Sequence, residues 1–323
     1  FYSIFLNKKI DVSVNLYEFF FYGAFILSFI SLFLNFFIGL NPIINTLIYS
    51  LPFILFFIFF FNKILLKDIL RYSILISLFA VIIISYDGTY RPDAGLYHLP
   101  YISNLNENRI IIGLSNINFR YGHTSIMQYL SSIYNNLFFG EKGITIPLVL
   151  IYINLIGYFL LELLTKNNDK KLKIFILIII IFIFFRVNRY SDFGNDAPAN
   201  LLFFYLIIEY LKKNTDLIKI KKLIFISTFI FLNKITLFLC FLFPLILIFN
   251  NFKLENLINK ASFFSFLFLT LFLIKNILIS GCLIFPAEKT CITKLTWYDK
   301  NNSRNSNAAT AKIENEAWAK GWL

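Results

Sequence analysis

Residues Leu223–Phe249 read LIFISTFIFLNKITLFLCFLFPLILIF, an apolar run interrupted by the polar pair Asn233-Lys234. At 1.5 Å per residue such a run would make a helix of about 40 Å. That is too long for one crossing of a ~30 Å hydrocarbon core and short for two. Both flanks are basic, Lys212–Lys222 ahead and Lys253–Lys260 behind, and Lys and Arg collect on the cytoplasmic side of membrane segments. The chain must therefore enter and return, turning near Asn233-Lys234. A lysine at mid-membrane costs roughly 2.5–3.5 kcal/mol on insertion scales. A break facing a polar cavity removes much of that cost, because irregular backbone is tolerated only where protein or water covers it.

The same reading extends along the chain. Apolar spans are expected at Leu16–Phe37, Pro42–Phe61, Ile69–Ser85, Ile144–Leu164, Leu172–Phe185, Ala199–Tyr210 and Ser262–Ser280. Short connectors rich in Lys and Arg (Asn7–Lys9, Lys63–Arg71, Lys166–Lys173 and the two named above) alternate with connectors poor in them. The long connector Tyr86–Gly143 holds only Arg91, Arg109, Arg120 and Lys142. The N-terminus is then cytoplasmic, the connector outside, and about nine crossings leave the tail from Gly281 outside too.

Composition agrees. Of the 323 residues 58% are hydrophobic and only 15% charged, where soluble domains carry about a quarter. A water-soluble globule and a disordered chain are both excluded. The net charge of +12 sits in connectors rather than on a basic face, so no nucleic-acid partner is implied. The expected fold class is an all-α polytopic membrane protein. Residues 1–280 form the transmembrane bundle, with an outer loop over 86–143, and 281–323 form an outer tail. The chain starts at Phe1 and stops at Leu323 in an amphipathic stretch, which leaves room for further membrane helices after the tail. Walker A, GxGxxG and HExxH sequences are absent, so ATP-driven transport and zinc proteolysis lack their usual parts.

The outer loop keeps helical periodicity. Ile126, Tyr129, Leu130, Ile133 and Leu137 recur at i, i+3, i+4 and i+7, with Thr124 or Ser125 as N-cap, which predicts a helix lying on the membrane surface. Acidic residues gather on the outer side: Asp87 and Asp93 after the third span, Asp192 and Asp196 before the sixth. A carboxylate at a membrane rim can act as general base. Arg91 and Arg120 can neutralise it or hold a phosphate. Each residue also has a plainer reading. Asp93 follows Pro92 in a turn-forming context and Asp87 precedes Gly88; Asp196 can cap a helix starting at Pro198. Arg120 and Lys234 can snorkel, and His98 can be a satisfied structural histidine. Cys282 and Cys291 both fall outside, where an oxidising compartment would let them pair.

Asp93-Ala94-Gly95-Leu96-Tyr97-His98 resembles the signature of the GT-C glycosyltransferases, which carry an Asp in the first large outer loop, shortly after a transmembrane helix and followed by aromatics. More closely, the chain is similar to a family of bacterial multi-pass membrane proteins placed among them, with DxGLYH followed by GLxNxxxRxGxxS. Here the second motif is Gly113-Leu114-Ser115-Asn116, then Arg120, Gly122 and Ser125. Asp196-Ala197-Pro198-Ala199, Lys234 in a split helix and Ser280-Gly281-Cys282-Leu283-Ile284-Phe285-Pro286 follow in the same order. Asn118 and Phe119 depart from the His and Gly expected before the Arg.

The resemblance implies a GT-C-like helical bundle in the bacterial inner membrane. Its activity would be inverting transfer of a sugar from a polyprenyl-phosphate donor to a lipid or glycan acceptor hydroxyl on the extracytoplasmic face. Asp93 would be the general base, with Tyr97, His98, Asn116, Arg120, Asp196 and Lys234 binding substrate. Asp93 and Asp196 could share a divalent ion, Mg²⁺ or Mn²⁺, though two separated carboxylates are a thin donor set. A transporter or flippase of lipid-linked sugars would use the broken helix equally well. A non-catalytic protein of envelope-glycan assembly is the third reading.

Overall fold

The computed structural model describes residues 16–59, 63–86, 94–123, 125–165, 169–185, 196–212, 217–250 and 259–301. Among these residues the fold is all helical. In chain order the α-helices are α1 (Phe19–Asn35), α2 (Pro42–Phe59), α3 (Lys63–Tyr86), α4 (Leu99–Glu107), α5 (Ile126–Tyr134) and α6 (Ile146–Leu164), then α7 (Lys170–Phe185), α8 (Asp196–Leu211), α9 (Leu217–Asn233), α10 (Leu242–Asn250) and α11 (Lys260–Ser280).

Local chemistry sets many of the ends. Asn41 accepts from Ile44 N at 2.9 Å just ahead of α2, and Asn259 accepts from Ser262 N at 3.0 Å to cap α11. Pro147 occupies the first turn of α6, where its missing N–H costs nothing. Gly281, at φ +76°, closes α11 in the left-handed conformation that lets the chain turn back.

Hydrogen bonds sort the helix ends into two groups. At one end Ile110 N donates to Asn35 O (2.9 Å) and Gly113 N to Leu278 O (2.8 Å). Asn45 Nδ2 there donates to Ser132 O (2.8 Å) and Asn135 O (2.9 Å). We call this the loop end, since residues 94–145 and the segment after Ser280 lie there. At the opposite end meet Glu18 before α1, Glu162 and Glu209 near the ends of α6 and α8, and Lys222 near the start of α9. Successive long helices therefore run alternately toward and away from the loop end. Tyr72 of α3, bonded to Asn154 of α6, ties two of them together at mid-height.

The reversal expected at Asn233-Lys234 is where α9 stops. Lys234 is extended (φ −145°, ψ 102°), and a 3-10 turn, Ile235–Phe241, leads into α10. The returning arm runs beside α9, with Ser227 Oγ donating to Cys240 O at 3.0 Å. The outer-loop helix differs from expectation. All nine residues of α5 are buried, with α1, α2, α4 and α6 packed around it, so it does not lie on a surface. It ends at Tyr134 because Asn136 Oδ1 takes Phe138 N (3.0 Å) and Phe139 N (3.2 Å), and this competing turn leaves Leu137 exposed.

Two helices among the described residues, Gly140–Leu164 and Lys260–Ser280, are long and apolar enough to cross a membrane on length and composition. Phe20–Asn35, Pro42–Leu55, Ile69–Ser85 and Ile235–Asn250 are shorter apolar helices. Large apolar side chains stay exposed along the outward faces of α2 and α3, among them Leu47, Ile54, Ile74, Leu78 and Ile82.

The end opposite the loops holds a buried ion network. Lys222 pairs with Glu18 and, at 2.9 Å, with Glu209; Lys212 pairs at 2.6 Å with both Glu162 and Glu209. Tyr158 donates to Glu209 and Tyr205 to Glu18. Removing one partner of a buried pair strands the other charge, at about 3–5 kcal/mol. Glu209→Leu is expected to cost that much in detergent unfolding experiments, and adding Lys222→Met to it should return part of the loss.

Candidate functional site

The site builds up from the N-terminus of α5. Ser125 caps the helix by accepting from Met127 N at 3.1 Å, and Gln128 Oε1 accepts from Ser125 N at 3.0 Å, a capping box. The box decides which way the Gln128 amide faces. With its oxygen held by Ser125, its nitrogen meets His98 Nδ1 at 3.3 Å. That nitrogen must accept, so the neutral His98 ring carries its proton on Nε2. His98 is buried at the end of a wide turn, Ala94–His98, where a π-type helix leads into α4. Ser125 Oγ also reaches Asn233 Oδ1 at 3.4 Å, which joins the start of α5 to the end of α9.

Arg120 sits in the 3-10 turn Phe119–Gly122. Asn118 Oδ1 accepts from Arg120 N (3.0 Å) and His123 N donates to Arg120 O (3.1 Å). Its guanidinium lies 5.2 Å from the ring centre of Tyr97 and 5.8 Å from that of Phe119, a cation–π seat. Tyr97 in turn lies against His98, ring centres 4.1 Å apart. Loss of hydration among its neighbours, and then the Arg120 charge, hold the His123 imidazole below its ordinary range. Part of that ring remains exposed, so solvent screens both effects.

Lys234 and Asp196 form an ion pair, Nζ to Oδ1 2.9 Å. Each suits its place: Asp196 opens α8, where a helix N-terminus favours a negative charge, and Lys234 follows the C-terminus of α9, which favours a positive one. Asp196 is therefore engaged by a lysine and lies within the first turn of α8.

Five of the substrate-binding residues expected from sequence, Tyr97, His98, Arg120, Asp196 and Lys234, thus fall in one contact series running through Gln128, Ser125 and Asn233. Asn116 has a different bond. Its Nδ2 donates to Trp297 O at 2.9 Å, so it ties the loop to the segment after α11. Asp93, Asp87, Asp192, Arg91 and Thr124 lie outside the described residues. Among the described residues no group of three or more His, Cys, Asp or Glu could hold a metal ion.

Three residues had no site role assigned from the sequence. Gln128 and Asn233 are ordinary amides there, given a role only by the capping box and the helix break. Lys275 had a readable signal, a lysine inside the apolar run Ser262–Ser280. It is fully buried, its Nζ 3.8 Å from the Phe272 ring centre and 5.8 Å from that of Tyr129. Tyr129 contacts Tyr101 hydroxyl to hydroxyl at 3.4 Å, and Tyr101 packs on Tyr121, beside Arg120.

Residues 2–317 match a family described as Domain of unknown function (DUF8201). The chain belongs to that family. No curated protein and no solved structure matches it. What members of the family share in chemistry has therefore to be sought in the arrangement just described.

Two outcomes follow from this geometry. The Lys234–Asp196 pair is half open to solvent, and such pairs couple by less than about 1 kcal/mol. A double-mutant cycle with Asp196→Asn and Lys234→Gln should give a coupling of that size, so an incoming anion can take the lysine at little cost. The His123 resonance should titrate below pH 6.5 and move up when Arg120 is replaced by Gln. Because its folded value is depressed, His123's share of stability is whole above about pH 6.5 and erodes as pH falls toward that value.

Proposed function

We propose that this chain is a polytopic glycosyltransferase of GT-C type in the bacterial inner membrane. It would move a sugar from a polyprenyl-phosphate donor to a lipid or glycan hydroxyl on the extracytoplasmic side. One observation carries the reading: Arg120 and Lys234, 114 positions apart in sequence, belong to one contact series with Tyr97, His98 and Asp196 at the loop end. A leaving phosphate monoester needs cations and hydrogen-bond donors, and this series supplies both.

Asp93 accepts the proton of the acceptor hydroxyl as that oxygen attacks the anomeric carbon. The bond to the phosphate oxygen breaks on the opposite face, and the electron pair leaves with the polyprenyl phosphate. Arg120 and Lys234 take up the charge building on its oxygens, where low dielectric strengthens such contacts. His98, with its proton on Nε2 and its ring against Tyr97, is the neutral donor of the series. The described residues offer a metal ion one carboxylate at this site, Asp196, already paired to Lys234, so no step is written through Mg²⁺ or Mn²⁺.

The membrane part of the reading rests on the exposed apolar faces of α2 and α3, since contiguous exposed apolar surface marks contact with a membrane or a partner, and on the alternation of helix directions. The Cys282–Cys291 disulfide at the loop end supports an oxidising compartment on that side. A carrier of lipid-linked sugars is favoured by one feature, the broken arm at Lys234.

Reconstituted protein offered a polyprenyl-phosphate sugar separates the two. The enzyme should release polyprenyl phosphate, lose turnover with Asp93→Asn, and lose about a hundredfold in kcat with Lys234→Gln, the scale of one charge-stabilising group. Movement of intact donor across the bilayer without cleavage would instead establish the carrier, and turnover unchanged in Asp93→Asn would remove the proposed base.

A further inference from the structure

We propose that the disulfide-closed loop Cys282–Cys291 is a clamp for the anion-binding turn: Phe285 is a positioning residue that seats Arg120, and the site is assembled only while the disulfide is oxidised. The inference rests on the reading of Arg120 as a phosphate contact.

The clamp starts at Gly281, where α11 ends and the chain turns back. Cys282 and Cys291 are paired both as an antiparallel bridge and by the disulfide. The loop between them is tied internally: Leu283 N donates to Thr290 O at 3.1 Å and Thr290 Oγ1 to Ile284 O at 3.0 Å. It is tied to α11 by Asn276 Nδ2 donating to Leu283 O at 3.0 Å. These bonds leave Phe285 little room except inward, and it is buried.

Phe285 lies on Gly122. A Cβ at Gly122 would stand 2.5 Å from Phe285 Cδ1 and 2.7 Å from Cε1, so the ring occupies the space a side chain would need. Gly122 is the last residue of the turn that carries Arg120. The following residue, His123, meets the edge of the same ring, centres 5.1 Å apart. The far side of the turn holds the Arg120 guanidinium against Tyr97. Phe285 is thus the floor of the turn and Tyr97 the seat of its charge, and a floor that withdraws leaves the turn to its own short hydrogen bonds and the contact of Tyr121 with Tyr101.

Reduction releases the loop. A dithiol reductant attacks a sulfur, most accessibly that of half-buried Cys291, since Cys282 is buried. The mixed disulfide resolves to two protein thiols while the reagent takes up the oxidised bond. Without the covalent closure those hydrogen bonds open more readily, and Phe285 can leave Gly122.

Two measurements on the full chain in nanodiscs test this. Hydrogen–deuterium exchange of residues 113–123 should rise on dithiothreitol treatment, and likewise in Phe285→Ala and in Cys282→Ser/Cys291→Ser, with Phe285→Leu close to wild type. Dithiothreitol should add nothing to the double serine variant. Affinity for polyprenyl phosphate should fall about tenfold in the same set, with KM for the sugar donor rising more than kcat falls. Unchanged exchange on reduction overturns the clamp. Faster exchange with undiminished affinity overturns the positioning role. An oxidised wild type with no affinity for polyprenyl phosphate overturns the reading of the site instead, and exchange alone then judges the clamp.

Discussion

A helix that begins inside a protein must satisfy its own first amides, and α5 begins with every residue buried. Ser125 and Gln128 solve this between them, and much of the loop end depends on the solution. Holding Gln128 Oε1 on Ser125 N turns the other half of the amide toward His98 and fixes the tautomer of that ring. Placing Ser125 Oγ at the cap brings it to Asn233, so the polar end of α9 is fastened to the start of α5. Lys234 follows at the break, where Asp196 of α8 meets it. One local capping requirement thereby orders residues from four stretches of chain.

Charge is divided between the two ends of the bundle in different forms. Opposite the loops, Lys222 and Lys212 are enclosed by Glu18, Glu162 and Glu209, with tyrosine hydroxyls occupying further carboxylate positions. Such an arrangement binds helices to one another and has no slack for a ligand. At the loop end Arg120 rests on an aromatic face, and Lys234 shares an exposed aspartate. An anion can compete for Lys234 without leaving a buried charge stranded, because the aspartate it would displace is exposed.

Much of this was legible in the sequence. The helical class followed from apolar run lengths, and the reversal at Lys234 from basic flanks on both sides of a run too long for one helix. The capping residue of α5 was narrowed to Thr124 or Ser125, and periodicity located the helix. Its burial was not legible, because the same apolar stripe suits a surface helix and a core one; only the partners of Gln128 and Ser132 distinguish them. The Lys234–Asp196 pair was beyond reach since nothing local links residues 38 positions apart. Lys275 could have been read from its apolar surroundings. Asp93, which the mechanism needs most, lies outside the described residues, so its role rests on the motif alone.

The loop end is proposed to receive the phosphate of an isoprenoid lipid. Photo-crosslinking with a diazirine placed next to the phosphate of a polyprenyl phosphate, followed by peptide mapping, tests it most directly. Adducts should concentrate in residues 94–98, 119–123 and 234–241. Adducts at the opposite end, around Glu18, Lys212 and Lys222, or labelling spread evenly over the apolar faces, would contradict it.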